Sequence, residues 1–296
     1  MQQITTASGK SVFPVGVGTF GIASRENEQT AEALRYQGYK NVEPVYGNEE
    51  REIAGLQHSL QVGQNYVDTA GLYGAGYTNE VVGRALAGSG VPRSDLFIAH
   101  NVWKSDYGRV YDAVREHLGK LGISHFDVAG PHSPYTDGWS TPSWEATMED
   151  FARLREEGLI LGVSLSNFKP EAIAEAERRL GFRVTTAQAG YSVLDQDPRK
   201  QELRDYCEKN GIQLVGYQAL SGGVLQNAAV REIAAAHNAS AAQVGLSFVM
   251  GEGILPLAKA LDPHHINDNA GAAELMLTPA EMDALRNQGP DSRIAA

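Results

Sequence analysis

Eight short apolar runs, each followed by a stretch of helical periodicity, predict an α/β chain folded as a single (β/α)8 TIM barrel over residues 1–296, with a β-hairpin in front. Two further observations support this over an open doubly wound sheet. Residues 16–24 read GVGTFGIAS, so the first strand lacks the G-x-G-x-x-G turn that such a sheet uses to hold a dinucleotide phosphate. No Pro/Ser-rich linker or shift in composition divides the chain.

The hairpin is expected from Ile4 to Thr6 and Ser11 to Pro14, joined by the turn-forming Ala7-Ser8-Gly9-Lys10. VGVGTFG (15–21) follows as the first buried strand, then a polar stretch with a short helix around Thr30 to Arg35. Ile53, Leu56 and Leu60 share a helical face, and Gly63 is placed to cap it. Strands are expected at 66–69, 96–102, 126–130, 160–165, 184–188, 212–217 and 254–257. Val110, Val114, Leu118 and Leu121 form one core-facing helical stripe, and Trp144, Met148, Phe151 and Leu154 another. Further helices are expected at 78–86, 170–180 and 198–209. Ser240 with Gln243 and Thr278 with Glu281 form capping boxes, while Asp262 and Thr278 each precede a proline suited to the first helical position.

The net charge of −11 argues against nucleic acid or an anionic membrane as the main partner and reads as acidic solubility. The N-terminus MQQITTASGK has no apolar segment of signal-peptide type, so a soluble cytoplasmic protein is expected. The single cysteine, Cys207, sits in a helical pattern and is expected to be a packed thiol. His264 and His265 are adjacent and diverge on a helix, so no metal is expected.

The chain centres on VDTAGLYGAG (67–76), where a buried strand ends in Asp68 and a glycine-rich loop presents Tyr73. In a parallel barrel the site lies at the C-terminal strand ends. Projecting those ends collects Thr19, Phe20, Asp68, Asn101, His132, Ser166, Asn167, Gln188, Tyr217 and Lys259, a set too polar to be core filler. Taken singly, His132 reads as a loop histidine, Tyr73 as a packed aromatic and Ser166-Asn167 as a helix cap. Trp103, Trp139 and Trp144 are equally suited to lining a pocket or packing a core.

With these motifs in order, the chain resembles the aldo-keto reductase superfamily over its full length. The segments that carry the resemblance include GVGTF, VDTAGLYGAGYTNEVVGRAL (67–86), RSDLFIAHNVW (93–103), FDVAGPHSP (126–134), GLILGVSLSNF (158–168), VGYQAL (215–220), AAQVGLSFVM (241–250) and LAKALDPHHINDN (257–269). The resemblance implies NADPH-dependent reduction of a carbonyl, or a related C=N or C=C group, on a small-molecule substrate, with Tyr73 as acid, Asp68 as its support and His132 as a second contact to the substrate oxygen. It places Thr19, Phe20, Asp68, Ser166, Asn167, Gln188, Tyr217, Leu220, Lys259, His265 and Asn269 around the cofactor. Ser166, Asn167 and Gln188 would meet the nicotinamide carboxamide, Tyr217 would stack on the ring, and Lys259 would meet the 2′-phosphate.

Two positions depart from the family pattern. Asn101 stands where the family carries the lysine that tunes the tyrosine, and His265 where it carries an arginine. Three readings of Asn101 are open: a hydrogen-bonding substitute in a slow or specialised oxidoreductase, a cation supplied instead by Lys104, or a cofactor-binding protein that does not reduce carbonyls. His100 is adjacent but should point to the other face. Histidine is a weaker cation than arginine, so a reduced preference for NADPH over NADH is expected. Ten residues follow Arg286, too few for a long lid, so an open pocket is expected.

Overall fold

A computed structural model describes residues 4–5, 9–22, 49–134 and 144–289. The expected helix near Thr30, Trp139 and the end of the C-terminal tail lie outside these residues. Strands β1 (Ile4–Thr5) and β2 (Ser11–Val12) pair antiparallel, Ile4 against Val12. Eight parallel strands then close a barrel: β3 (Gly16–Gly18), β4 (Tyr66–Ala70), β5 (Phe97–Val102), β6 (Phe126–Pro131), β7 (Ile160–Ser166), β8 (Thr186–Gly190), β9 (Gln213–Tyr217) and β10 (Leu255–Ala258). They run in sequence order, with β10 returning to β3.

Around them pack α1 (Glu49–Gln61), α2 (Tyr77–Gly88), α3 (Val110–Leu121), α4 (Trp144–Glu156), α5 (Pro170–Leu180), α6 (Pro198–Asn210), α7 (Ala228–His237), α8 (Ala241–Gly251), α9 (Pro263–Gly271) and α10 (Pro279–Arg286). Both capping boxes form, and Asp262 caps α9 through His264 N. Helix α5 starts where the sequence places it, and Lys169, not Ser166 or Asn167, occupies its N-cap. Those two side chains are left to the barrel mouth. Helix α7 is not predicted by the sequence reading; it buries Val230, Ile233 and Ala234 on one face.

Strand alternation sorts the residues into two cores. Tyr66, Phe97, Ala99, Val128, Val215, Leu255 and Leu257 fill the barrel interior with Val12 of the hairpin beneath them, while the larger cluster joins the outer strand faces to the helices. On β5 this parity puts Asn101 inward and His100 outward, stacked on Phe126 at 4.6 Å. The base is tied by Asp127, which pairs with Lys10 at 2.7 Å and Arg93 at 2.8 Å. Cys207 is buried, and burial pushes its thiol up to about 12.

Glycine is needed where β6 approaches β7, because a Cβ on Gly130 would overlap the Ser164 carbonyl oxygen. Gly130→Ala should therefore cost about 1–3 kcal/mol of unfolding free energy by urea titration. An unchanged midpoint would show that the two strands can part without cost.

Candidate active site

A cavity of about 660 Å³ opens at the C-terminal ends of the strands. Its floor is Asp68, buried in the middle of β4. The Asp68 Oδ1 accepts two amide hydrogen bonds, from Gln188 Nε2 at 2.8 Å and Asn101 Nδ2 at 3.0 Å. Register explains the meeting: Gly18, Asp68 and Ala99 are adjacent across three strands, and Ala70 is opposite Asn101, so inward positions of β4 and β5 converge. Burial pushes the Asp68 carboxyl up to about 7, against the lowering effect of the two amides. An ammonium beside it would have held it ionised; two neutral amides do not.

Asn101 lies below the cavity lining. Its Nδ2 is also 3.3 Å from the Thr69 carbonyl and 3.5 Å from Gln188 Oε1, while its Oδ1 is buried without a hydrogen-bond partner among the described residues. Three oxygens thus converge on one amide nitrogen. The charge of Lys104 acts on His132.

Tyr73 begins a short turn, Tyr73–Gly76, that runs through left-handed conformations at Gly74, Ala75 and Gly76. Its ring meets Phe20 edge-on at 5.2 Å and His132 at 6.0 Å. The His132 backbone is held from both sides: its amide N–H donates to the Val102 carbonyl at 2.9 Å and its carbonyl accepts from Asn167 Nδ2 at 3.0 Å. Burial, helped by the charge of Lys104, pushes the imidazole down to about 4. His132 is therefore neutral near pH 7, able to hydrogen-bond a carbonyl oxygen without protonating it.

On the opposite wall, Asn167 adopts φ +67° and its Oδ1 accepts from the Tyr217 hydroxyl at 2.6 Å. Ser166, Asn167, Gln188, Tyr217, Leu220 and Phe20 all line the cavity, as does Lys259, whose Nζ donates to the Phe20 carbonyl at 2.9 Å. Thr19 is buried just behind the lining and pins β4 by donating its hydroxyl to the Asp68 carbonyl at 2.9 Å. His265 and Asn269 lie one turn apart on α9 outside the lining, His265 exposed and Asn269 buried.

A sequence model of the aldo/keto reductase family matches residues 38–288. The chain belongs to that family. Glyoxal reductase of Bacillus subtilis is 30% identical over 253 residues, covering 84% of this chain and 86% of its own length. Methylglyoxal reductase DkgB of Escherichia coli O157:H7 is 28% identical, covering 79% of this chain and 86% of itself. The thermostable aldo-keto reductase Tm1743, solved with the inhibitor epalrestat, is 27% identical and superposes with a TM-score of 0.83, covering 98% of this chain and 100% of its own.

In this aldo/keto reductase family chain the cavity also includes residues that sequence reasoning did not single out. Ser133, Gln218 and Ser221 line the cavity, and Gln218 does so at φ +60°. Trp103, ambiguous from sequence, is in the lining and meets His132 edge-on at 5.1 Å. Beneath the tyrosine loop, Thr69 Oγ1 donates to Asn79 Oδ1 at 2.7 Å and the Asn79 amide nitrogen meets His117 Nδ1 at 2.8 Å. A Cβ at Gly71 would lie 2.6 Å from His117 Nε2, so that glycine lets the loop settle onto the imidazole. The glycine at 71 was the one trace of this support in the sequence.

Proposed function

We propose that this chain uses NADPH to reduce a carbonyl, or a related C=N or C=C group, on a small organic molecule. One observation carries the reading: a phenol, a neutral imidazole and a buried carboxyl share one cavity with the polar wall of Ser166, Asn167 and Gln188. The donor set suits a nicotinamide nucleotide. Ser166, Asn167 and Gln188 offer hydroxyl and amide groups for the carboxamide, Tyr217 a ring face, Leu220 an apolar contact, and Lys259 a fixed positive charge for a phosphate. His265 and Asn269 would serve the adenosine end from α9. When bound, the cofactor supplies hydride.

The protein's own part is proton delivery. Tyr73 donates its phenolic proton to the substrate oxygen while the neutral His132 hydrogen-bonds the same oxygen and orients it. Asp68 lines the same cavity as Tyr73. Its ionised form opposes the negative charge left on Tyr73, and its protonated form does not. Asn101 and Gln188 hold the carboxyl in place without neutralising it.

The test is NADPH oxidation with glyoxal and methylglyoxal as carbonyl probes. Tyr73→Phe should lower kcat/KM by about 10²-fold, the low end for general acid catalysis because the phenol lacks its tuning cation. A loss below threefold would remove Tyr73 from the proton-donor role. The missing cation favours one second reading, a nicotinamide-nucleotide-binding protein that does not reduce carbonyls. Tight NADPH binding with no turnover on aldehydes, ketones or imines would establish it.

A further inference from the structure

The cavity contains a cation with no part in the scheme above. Lys104 opens the turn Lys104–Asp106 directly after β5 and is only 6% exposed, yet it lines the pocket next to Trp103, His132 and Ser133. Its Nζ stands 6.0 Å from the centre of the Trp103 ring. Among the described residues, three charged side chains line the cavity: Lys104, Lys259 and Asp68. In the closed strand order, β10 and β5 lie on either side of β3 and β4, so Lys259 and Lys104 flank the Tyr73 loop from two directions. Lys259 falls to the cofactor phosphate. Lys104 is thus the cation on the substrate side, next to the imidazole that would hold the carbonyl oxygen.

A charge of this kind selects ligands. The chain carries a net −11, so its overall field repels anions, and a local cation is needed for one to enter. A single ammonium is a compact point charge, and burial in a low-dielectric wall strengthens its pull on an anion that displaces water from the cavity. One ammonium matches a monoanionic carboxylate; a phosphate dianion generally collects several donors. A second donor is present in the same corner, since the Ser133 Oγ is buried without a hydrogen-bond partner among the described residues. Lys104 keeps contacts of its own in this structure, which an incoming carboxylate would share or replace.

We propose that Lys104 binds a carboxylate carried by the substrate, with Ser133 as its neighbour, so that the preferred substrates are small oxo acids or aldehyde acids rather than neutral dicarbonyls. The proposal rests on the reductase reading of this pocket, but binding tests it without turnover. Two probes of nearly equal shape, para-formylbenzoate and para-formylbenzamide, are titrated against the protein by tryptophan fluorescence, which Trp103 in the wall should report. The carboxylate should bind at least about tenfold more tightly than the amide. In Lys104→Met that ratio should fall to within about twofold while the amide affinity stays unchanged, and Lys104→Arg should retain most of the preference.

Should Lys104→Met fail to fold, Lys104→Gln and the wild-type ratio give the same reading. Equal affinity for the two probes, no binding of either, or a preference that survives Lys104→Met would overturn the proposal. NADPH turnover is scored separately. If neither probe is reduced while the carboxylate preference is present and depends on Lys104, the reductase reading fails and the carboxylate site stands. If both are reduced with equal KM, the carboxylate site fails and the reductase reading stands.

Discussion

Asn101→Lys should raise kcat/KM for carbonyl reduction by about 10-fold to 10³-fold at pH 7.5, the change expected when a cation within roughly 4–6 Å shifts a phenol by about 1–3 pKa units. The oxygens that would receive the ammonium are already converged, because Asp68 Oδ1, the Thr69 carbonyl and Gln188 Oε1 all lie within 3.5 Å of the present amide nitrogen. Lysine is longer than asparagine, and position 101 is buried, so Gln188 must yield toward the cavity it lines. The pH profile supplies the control. In the wild type, kcat/KM should fall as pH rises through about 7, where Asp68 ionises and its charge opposes loss of the Tyr73 proton. In the Asn101→Lys variant the ammonium would keep Asp68 ionised across the range, and the inflection would vanish. An unchanged rate with the inflection retained would mean that the site does not depend on a cation at this position.

Much of this arrangement was legible in the sequence because strand parity is simple. Once 66–69 and 96–102 are strands ending at a common mouth, Asp68 and Asn101 fall at that mouth and His100 points to the other face. The capping boxes at Ser240 and Thr278 were legible for a similar reason, since each is a local pattern completed within three residues. What was not legible depended on contacts between distant segments. Nothing near Lys104 in the sequence says that its charge bears on His132, which follows a different strand. The Thr69–Asn79–His117 chain under the tyrosine loop joins a strand to two helices and has no sequence period. The strand end places Asn167 at the mouth, but its positive φ and its bond to Tyr217 have no local sequence signal. Whether His265 and Asn269 act on a cofactor depends on a ligand whose position no sequence pattern sets.

Asp68→Asn should make the protein more stable at pH 8, by roughly 2–4 kcal/mol in urea unfolding, although Asp68 is the central carboxyl of the site. A carboxyl moved by burial from 3.8 to about 7 costs roughly 4 kcal/mol of folding free energy once it is ionised. Between those two pH values the folded chain holds a proton that the unfolded chain has lost, so wild-type stability falls as pH rises through the window and levels off above it. Asparagine removes that proton from both states. Its own Oδ1 can still accept from Gln188 Nε2 and Asn101 Nδ2, so the amide clamp is kept and only the charge is lost. The advantage of the variant should therefore shrink to below about 1 kcal/mol at pH 4, where folded Asp68 is protonated and the unfolded aspartate is close to its half-titration point. A difference that does not change with pH would mean that Asp68 titrates normally, and the inflection expected in the wild-type rate near pH 7 would then need another group. Should the variant be stabilised at pH 8 and also reduce carbonyls without that inflection, the same buried charge would account for both the stability cost and the pH limit on activity.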